Sequence, residues 1–414
     1  MMIFLLFLQV DSLSLQQTFD LAFENSPSYY ESKISLDKSR ILFYQSLSNL
    51  LPTVSTTASY AKSEYQGIGT SAYLGSASFS MPILDLDVLS AICVAGRQLH
   101  NVDIQHRADI SNLILKLKTA YYSLINSREF LKASETAVAK AEENLKLVQS
   151  KYELGSASRL EMLQGEVFHL SALQDRSKAK TQEITAQEEL KSILGINNEI
   201  YPTDTLTTPN STQFPSLDSL IAILQKVNYD IQIAQEYRNI AKLQLVASYL
   251  AFLPKVSFFY GYNVSSDSLI FDFQYYRDNA IKNYGIKISF PIFEIKSLIF
   301  NYLNAKKDFQ LKEFTKKQTI FESEKALRTT YYSLQESADN LLYARKGIDV
   351  ADEAEAIAKE QYKLGAISLL DYLSTEQDLY NARVSYHSAL SNYYIQQANF
   401  SYFIGELVLN KEQR

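Results

Sequence analysis

Few side chains in this 414-residue chain stand where covalent or metal chemistry could be done. Cys93 is the sole cysteine, which excludes intrachain disulfides and cysteine zinc clusters and leaves it as a small apolar group. His100, His106, His169 and His387 have no ligand spacing, and a solvated helix face accounts for the nearness of the first two. No P-loop, Rossmann glycine pattern or nucleophile elbow is present. The reading is therefore a protein that is not an enzyme and takes no cofactor or metal, and whose energy, where needed, comes from a partner. A net charge of −6 argues against nucleic acid as a ligand. What the polar residues do instead is cap helices. Gly155 precedes Ser158-Arg159-Leu160-Glu161, and Gly365 precedes Ser368-Leu369-Leu370-Asp371. A glycine closing one helix and a Ser-x-x-acid box opening the next describe a tight helical hairpin, twice.

The two hairpins belong to an internal duplication. KYELGSAS at 151–158 returns as QYKLGAIS at 361–368, and AYYSL at 120–124 as TYYSL at 330–334, both displaced by 210 positions. Ser14-Leu15 and Leu51-Pro52 return after 202 positions, Pro82 after 209 and Gly195 after 210, so the length change lies almost wholly between the two prolines of each repeat. That stretch reads as a tolerant loop region, and the part after the second proline as dimensionally constrained.

Proline placement gives the organisation. The tracts Ile83–Tyr201 and Ile292–Arg414 hold no proline and are rich in strong helix formers, so they read as long helices. The incoming arm of each hairpin is roughly 70 residues, on the order of 100 Å at 1.5 Å per residue. The shorter returning arm is completed by a helix before the first proline, near 29–50 in one repeat and 230–252 in the other. The reading is repeat 1 over 13–196, a linker over 197–215, repeat 2 over 216–405 and a short tail over 406–414. The apolar start, MMIFLLFLQV, reads over 1–12 either as the remnant of an export signal or as a frayed terminus.

Between the prolines the period changes from helical to two. Strands are expected at 53–65 and 71–82 in repeat 1, and at 255–265 and 270–290 in repeat 2. Val256, Phe258, Tyr260, Tyr262 and Val264 alternate with Ser257, Phe259, Gly261 and Asn263. One apolar and one small polar face suit a transmembrane β-barrel with a wet lumen, and equally an ordinary antiparallel sheet on a protein core. Four strands cannot close a barrel, and open edges cannot stand in hydrocarbon. Two copies would give eight strands with a filled interior; three give twelve strands around a channel and twelve helical tracks. The fold class is thus mainly α with a small β part: a trimeric α-barrel of long antiparallel helices continuous with a shared 12-stranded transmembrane β-barrel, four strands per chain.

The Leu-Pro exits, the re-entries at Ser80–Pro82 and Ser289–Pro291, and Tyr-x-x-Gly at Tyr152–Gly155 and Tyr362–Gly365 resemble the TolC-like outer-membrane factors over residues 13 to 405. The resemblance implies a homotrimeric duct with its barrel in outer-membrane lipid and its helices in the periplasm. It would serve a tripartite efflux pump or type I secretion system, opened by a periplasmic adaptor protein and powered by an inner-membrane transporter. The family often has a glycine pair after the re-entry proline; Asp85-Leu86-Asp87 and Glu294-Ile295-Lys296 stand here instead. No cysteine near the start could carry the lipid anchor of some relatives.

Carried over by motif position, the inner gate falls on Tyr362 and Asp371, with Glu161 as the opposing acid. A threefold ring of Asp371 would attract cations and repel anions. Both acids are also those of the capping boxes, a purely structural role. Ile367 stands where a basic residue can clamp the tip and Ser374 where a second acidic ring can sit, which implies fewer polar ties and a less anionic constriction. The tips at Gly155, Ser156, Ala157, Ser158 and at Gly365, Ala366, Ile367, Ser368 are expected to meet the adaptor. Two other readings stay open: a soluble periplasmic coiled-coil protein, which leaves the strand alternation idle, and a stand-alone porin or adhesin, which has no use for long matched helices.

Overall fold

The computed structural model describes residues 12–65, 68–209, 215–270, 272–290 and 294–405. The apolar start over 1–11, Pro291 of the second re-entry and the tail 406–414 lie outside the described residues. In chain order the elements are α1 (Leu15–Asn25), α2 (Pro27–Ser48), β1 (Thr53–Tyr65), β2 (Ile68–Leu84), α3 (Leu86–Glu153) and α4 (Arg159–Leu194). The second repeat supplies α5 (Leu217–Val227), α6 (Tyr229–Leu250), β3 (Lys255–Ser266), α7 (Phe273–Asp278), β4 (Ile281–Ser289), α8 (Ile295–Lys363) and α9 (Leu369–Phe403). The long arms α3 and α8 are 68 and 69 residues.

Each repeat opens with two helices where the spacing predicts one. Ser14 caps α1 in a complete capping box with Gln17, and the chain breaks at Ser26 because Pro27 favours the first helical turn and restricts the residue before it. In the second repeat the break falls at Asn228. The glycines that end the returning arms dock on these breaks. Gly195 has a φ of +71°, and a Cβ there would lie 2.8 Å from the Asn25 carbonyl oxygen; at Gly405, φ +73°, it would lie 3.2 Å from Val227.

The chain forms two compact units, one of residues 1–33, 107–229 and 321–414, the other of 34–106 and 230–320. In the first, Leu113, Leu117, Ala120, Tyr121 and Leu124 of α3 meet Leu190 and Leu194 of α4 and Ala22 of α1. Each fully buried leucine contributes about 1.5–3 kcal/mol. Ile200, within the expected linker, is buried in the same core. Leu13 bridges Pro202, its N–H donating to the Tyr201 carbonyl at 2.8 Å and its carbonyl accepting from Thr203 N–H at 3.0 Å. The Tyr121 hydroxyl sits 2.9 Å from both the Leu13 carbonyl and Asp204 Oδ2, which also accepts from Leu15 N–H at 2.8 Å. Burial and the Asp204 carboxylate push the Tyr121 phenol above its ordinary value. These residues of 197–215 are therefore a docked strap.

The second unit holds one antiparallel sheet in the order β1-β2-β3-β4. Its register sorts the side chains. Val54, Tyr60, Tyr73, Phe79, Phe258, Tyr260, Tyr284 and Ile286 share one face, with Phe79 and Phe258 at 6.0 Å and Tyr60 and Tyr73 at 4.9 Å between ring centroids. The other face carries Ser55, Thr57, Ser76, Ser78, Ser80 and Ser257, interrupted by Leu74, Phe259 and Ile281. Hydroxyls pair across that face, Ser55 with Ser78 at 2.7 Å and Thr57 with Ser76 at 2.6 Å. β2 is longer than the expected 71–82 and passes Pro82 through a register shift at Pro82/Leu84, where a proline can be accommodated.

The expected strand over 270–290 is corrected: among its described residues only Ile281–Ser289 pairs. Ser266 turns the chain by bonding Ser268, and Asp272 caps α7 by accepting from Gln274 N–H at 2.8 Å. Such local side-chain to backbone bonds compete with a ladder. Asp85-Leu86-Asp87 shapes the entry into α3. Asp85 accepts from Asp87 and Val88 N–H at the start of α3, and Lys255 Nζ lies 2.6 Å from Asp87 Oδ2 and 3.9 Å from Asp85 Oδ1.

Candidate functional site at the hairpin tips

Both tips lie in the first unit, and their turns are alike. At the first, the Lys151 carbonyl accepts from Ser156 N–H at 2.8 Å and Ala157 N–H at 3.1 Å, while Gly155 N–H reaches Tyr152 O at 2.9 Å. At the second, the Gln361 carbonyl accepts from Ala366 N–H at 2.8 Å and Gly365 N–H reaches Tyr362 O at 3.1 Å. Gly155 and Gly365 have φ of +76° and +73°. A Cβ at either would meet no described atom within 4 Å, so the left-handed turn alone explains these glycines inside the chain. Both boxes form: Ser158 with Glu161, and Ser368 with Asp371. Leu154 and Leu364, one on each turn, are each 83 % exposed.

The gate residues expected from the sequence separate. Asp371 and Ser374 are exposed on α9, with Asp371 Oδ2 taking the Ser368 hydroxyl at 2.7 Å. Glu161 is half-buried and accepts from Ser158 N–H at 2.7 Å. Tyr362 lies elsewhere: it is buried, stacked on Tyr372 at 5.3 Å and 8° between planes, with Lys151 Nζ 4.3 Å from its ring. Its counterpart Tyr152 is exposed. Around Tyr362 gather Val148, Ala358, Leu369, Tyr372 and Leu373, with Ile367 and Ala157 packed alongside. Ile367 is thus an apolar anchor of the second tip.

Behind this cluster is a polar node that the sequence does not announce. Lys140 Nζ on α3 donates to Glu355 Oε1 on α8 at 2.9 Å and lies 3.9 Å from Glu376 Oε1 on α9. Asn144 Nδ2 donates to Glu376 Oε2 at 2.7 Å, and the Tyr372 hydroxyl donates to Glu376 Oε1 at 2.8 Å. Glu355 and Glu376 are both buried. Desolvation pushes the Glu376 carboxyl above the ordinary carboxylate range and the Tyr372 phenol above its own. Partners more than 200 residues apart have no local signature; the Tyr372/Glu376 pair, one turn apart on an apolar face, is the one hint in the sequence.

Two long helical hairpins, together with a sheet that turns aromatic rings to one side and hydroxyls to the other, define an outer-membrane exit channel of the efflux and secretion class. The outer membrane efflux protein model matches residues 18–196 and 220–406, and the chain belongs to that family. It is 21% identical over 418 residues to the outer membrane protein TolC of Escherichia coli K12, covering 95% of this chain and 82% of that one. It is 20% identical over 342 residues to the alkaline protease secretion protein AprF of Pseudomonas aeruginosa, covering 81% and 70%. The Campylobacter jejuni CmeC outer membrane channel superposes with a TM-score of 0.82 at 19% identity, over 94% of this chain and 85% of that one.

Proposed function

We propose that three copies of this chain close one twelve-stranded barrel in the outer membrane and that their hairpins gate it from the periplasm. The observation that carries the trimer is the sheet itself. Among the described residues it has four strands, two edges left unpaired within the chain, an aromatic face suited to lipid and a hydroxyl face suited to water. Three copies are the smallest ring of such sheets with an open lumen. Ile41 and Tyr44 of α2 and Leu311 and Phe314 of α8 are exposed in the single chain and would be covered in the ring. The test is the mass of the detergent-solubilised protein: a trimer supports the reading, and a monodisperse monomer with folded hairpins ends it.

In this reading the exposed Asp371 forms a threefold carboxylate ring, with Ser374 one turn away adding no charge and Glu161 and Tyr362 supporting the tips from behind. Single-channel recording should find cation blockade in the wild type and its loss in Asp371→Ala; indifference to that change would return Asp371 to a capping role alone. The turns 155–158 and 365–368, exposed except for the packed Ala157 and Ile367, suit docking, with Leu154 and Leu364, of a periplasmic adaptor that couples the duct to an inner-membrane transporter. Photocrosslinkers at Ser156 and Ala366 should capture the adaptor when the two are co-expressed, and crosslinking equal to that at a mid-helix control would count against it.

A further inference from the structure

The node of Lys140, Asn144, Glu355, Tyr372 and Glu376 joins α3 of the first hairpin to both arms of the second. Two buried carboxylates, Glu355 and Glu376, share the Lys140 ammonium group, and Glu376 also accepts from Asn144 and from the Tyr372 hydroxyl. Burial of Glu376 among these groups disfavours its ionised form. The charged and titratable groups that face Glu376 are Lys140 from α3, Glu355 and Lys359 from α8, and Tyr372 from α9.

We propose that Glu376 is a positioning residue that fastens the second hairpin to the first, and that uptake of one proton by Glu376 tightens this fastening, so that the duct narrows on acidification. The inference rests on the reading of the tips as the gate. The linkage has a definite sign. Burial favours the protonated form of Glu376 in the fastened arrangement, and a released, hydrated Glu376 returns to its ordinary value. The fastened arrangement is thus favoured at acid pH and loses that advantage as pH rises through the elevated value.

Full-length wild type, Glu376→Gln and Lys140→Met would be compared in planar bilayers between about pH 7.5 and about pH 5, the range above the ordinary glutamate value. Wild-type conductance should fall on acidification. Glu376→Gln, which resembles the protonated state, should be low and flat across the range. Lys140→Met, which removes a cation favouring ionised Glu376, should respond with a midpoint about one unit higher or more. Persistence of the wild-type acid response in Glu376→Gln, an unmoved midpoint in Lys140→Met, or a wild type conducting without pH dependence would each overturn the inference and leave the duct reading standing. A wild-type trimer that never conducts would remove both.

Discussion

Gly155 and Gly195 share a left-handed backbone, yet their surroundings differ. At Gly155 only the backbone objects to a side chain, and alanine costs about 1–2 kcal/mol. At Gly195 a Cβ would also press on Asn25 O at 2.8 Å and Pro27 Cδ at 2.9 Å, against backbone and a ring that cannot swing aside. Gly195→Ala is therefore expected to lower the melting temperature of the purified protein more than Gly155→Ala, and equal shifts would mean that the α1/α2 break yields. The boxes make a parallel case. Ser368→Ala removes the acceptor for Asp371 N–H and should cost about 1 kcal/mol, as Ser158→Ala should at the other tip.

Strands and straps show how position within an element sets the effect of a change. Ser78 and Phe79 are adjacent on β2 but point to opposite faces of the sheet. Ser78→Arg should assemble normally and shift ion selectivity towards anions, whereas Phe79→Arg, on the face assigned to lipid, should cost about 2–4 kcal/mol and reduce the trimer recovered from membranes. Comparable recovery of the two variants would count against the face assignment. The strap is held by Asp204, which accepts from both Leu15 N–H and the Tyr121 hydroxyl. Asp204→Ala leaves Leu15 N–H without its acceptor while the Tyr121 hydroxyl keeps the Leu13 carbonyl at 2.9 Å, so the loss is about 1–3 kcal/mol in all. Limited proteolysis should then cut within 197–209, a segment expected to resist cleavage in the wild type.

In the proposed trimer, apolar side chains left open by one chain would be closed by its neighbours, which would couple stability to oligomerisation. Ile41→Glu combined with Phe314→Glu should keep the helical content and lose the trimer, read by circular dichroism and light scattering on one sample. Retention of the trimer would place these two side chains outside the contact between copies. Lys255 contributes at a different level: its pairing with Asp87 ties the first residue of β3 to the start of α3. Asp85 and Asp87 thus give the start of α3 a cap and an ion pair.

The duplication, the long helices, both hairpin turns and the two faces of the sheet are legible in the amino-acid order alone. Each rests on a rule that acts within a few residues: proline exclusion, a glycine at positive φ, a capping box, a period of two. The same locality explains what is not legible there. Alternation overextends the strand at 270–290 because it cannot register the side-chain bonds of Ser266 and Asp272 that divert the chain. The strap over 200–204 and the node around Glu376 draw on residues brought together from distant parts of the chain, and burial there is a property of the packed helices rather than of any segment. That Tyr362 turns inward while Asp371 stays outside follows from packing in three dimensions, since both occupy motif positions and differ only in what the neighbouring hairpin places against them.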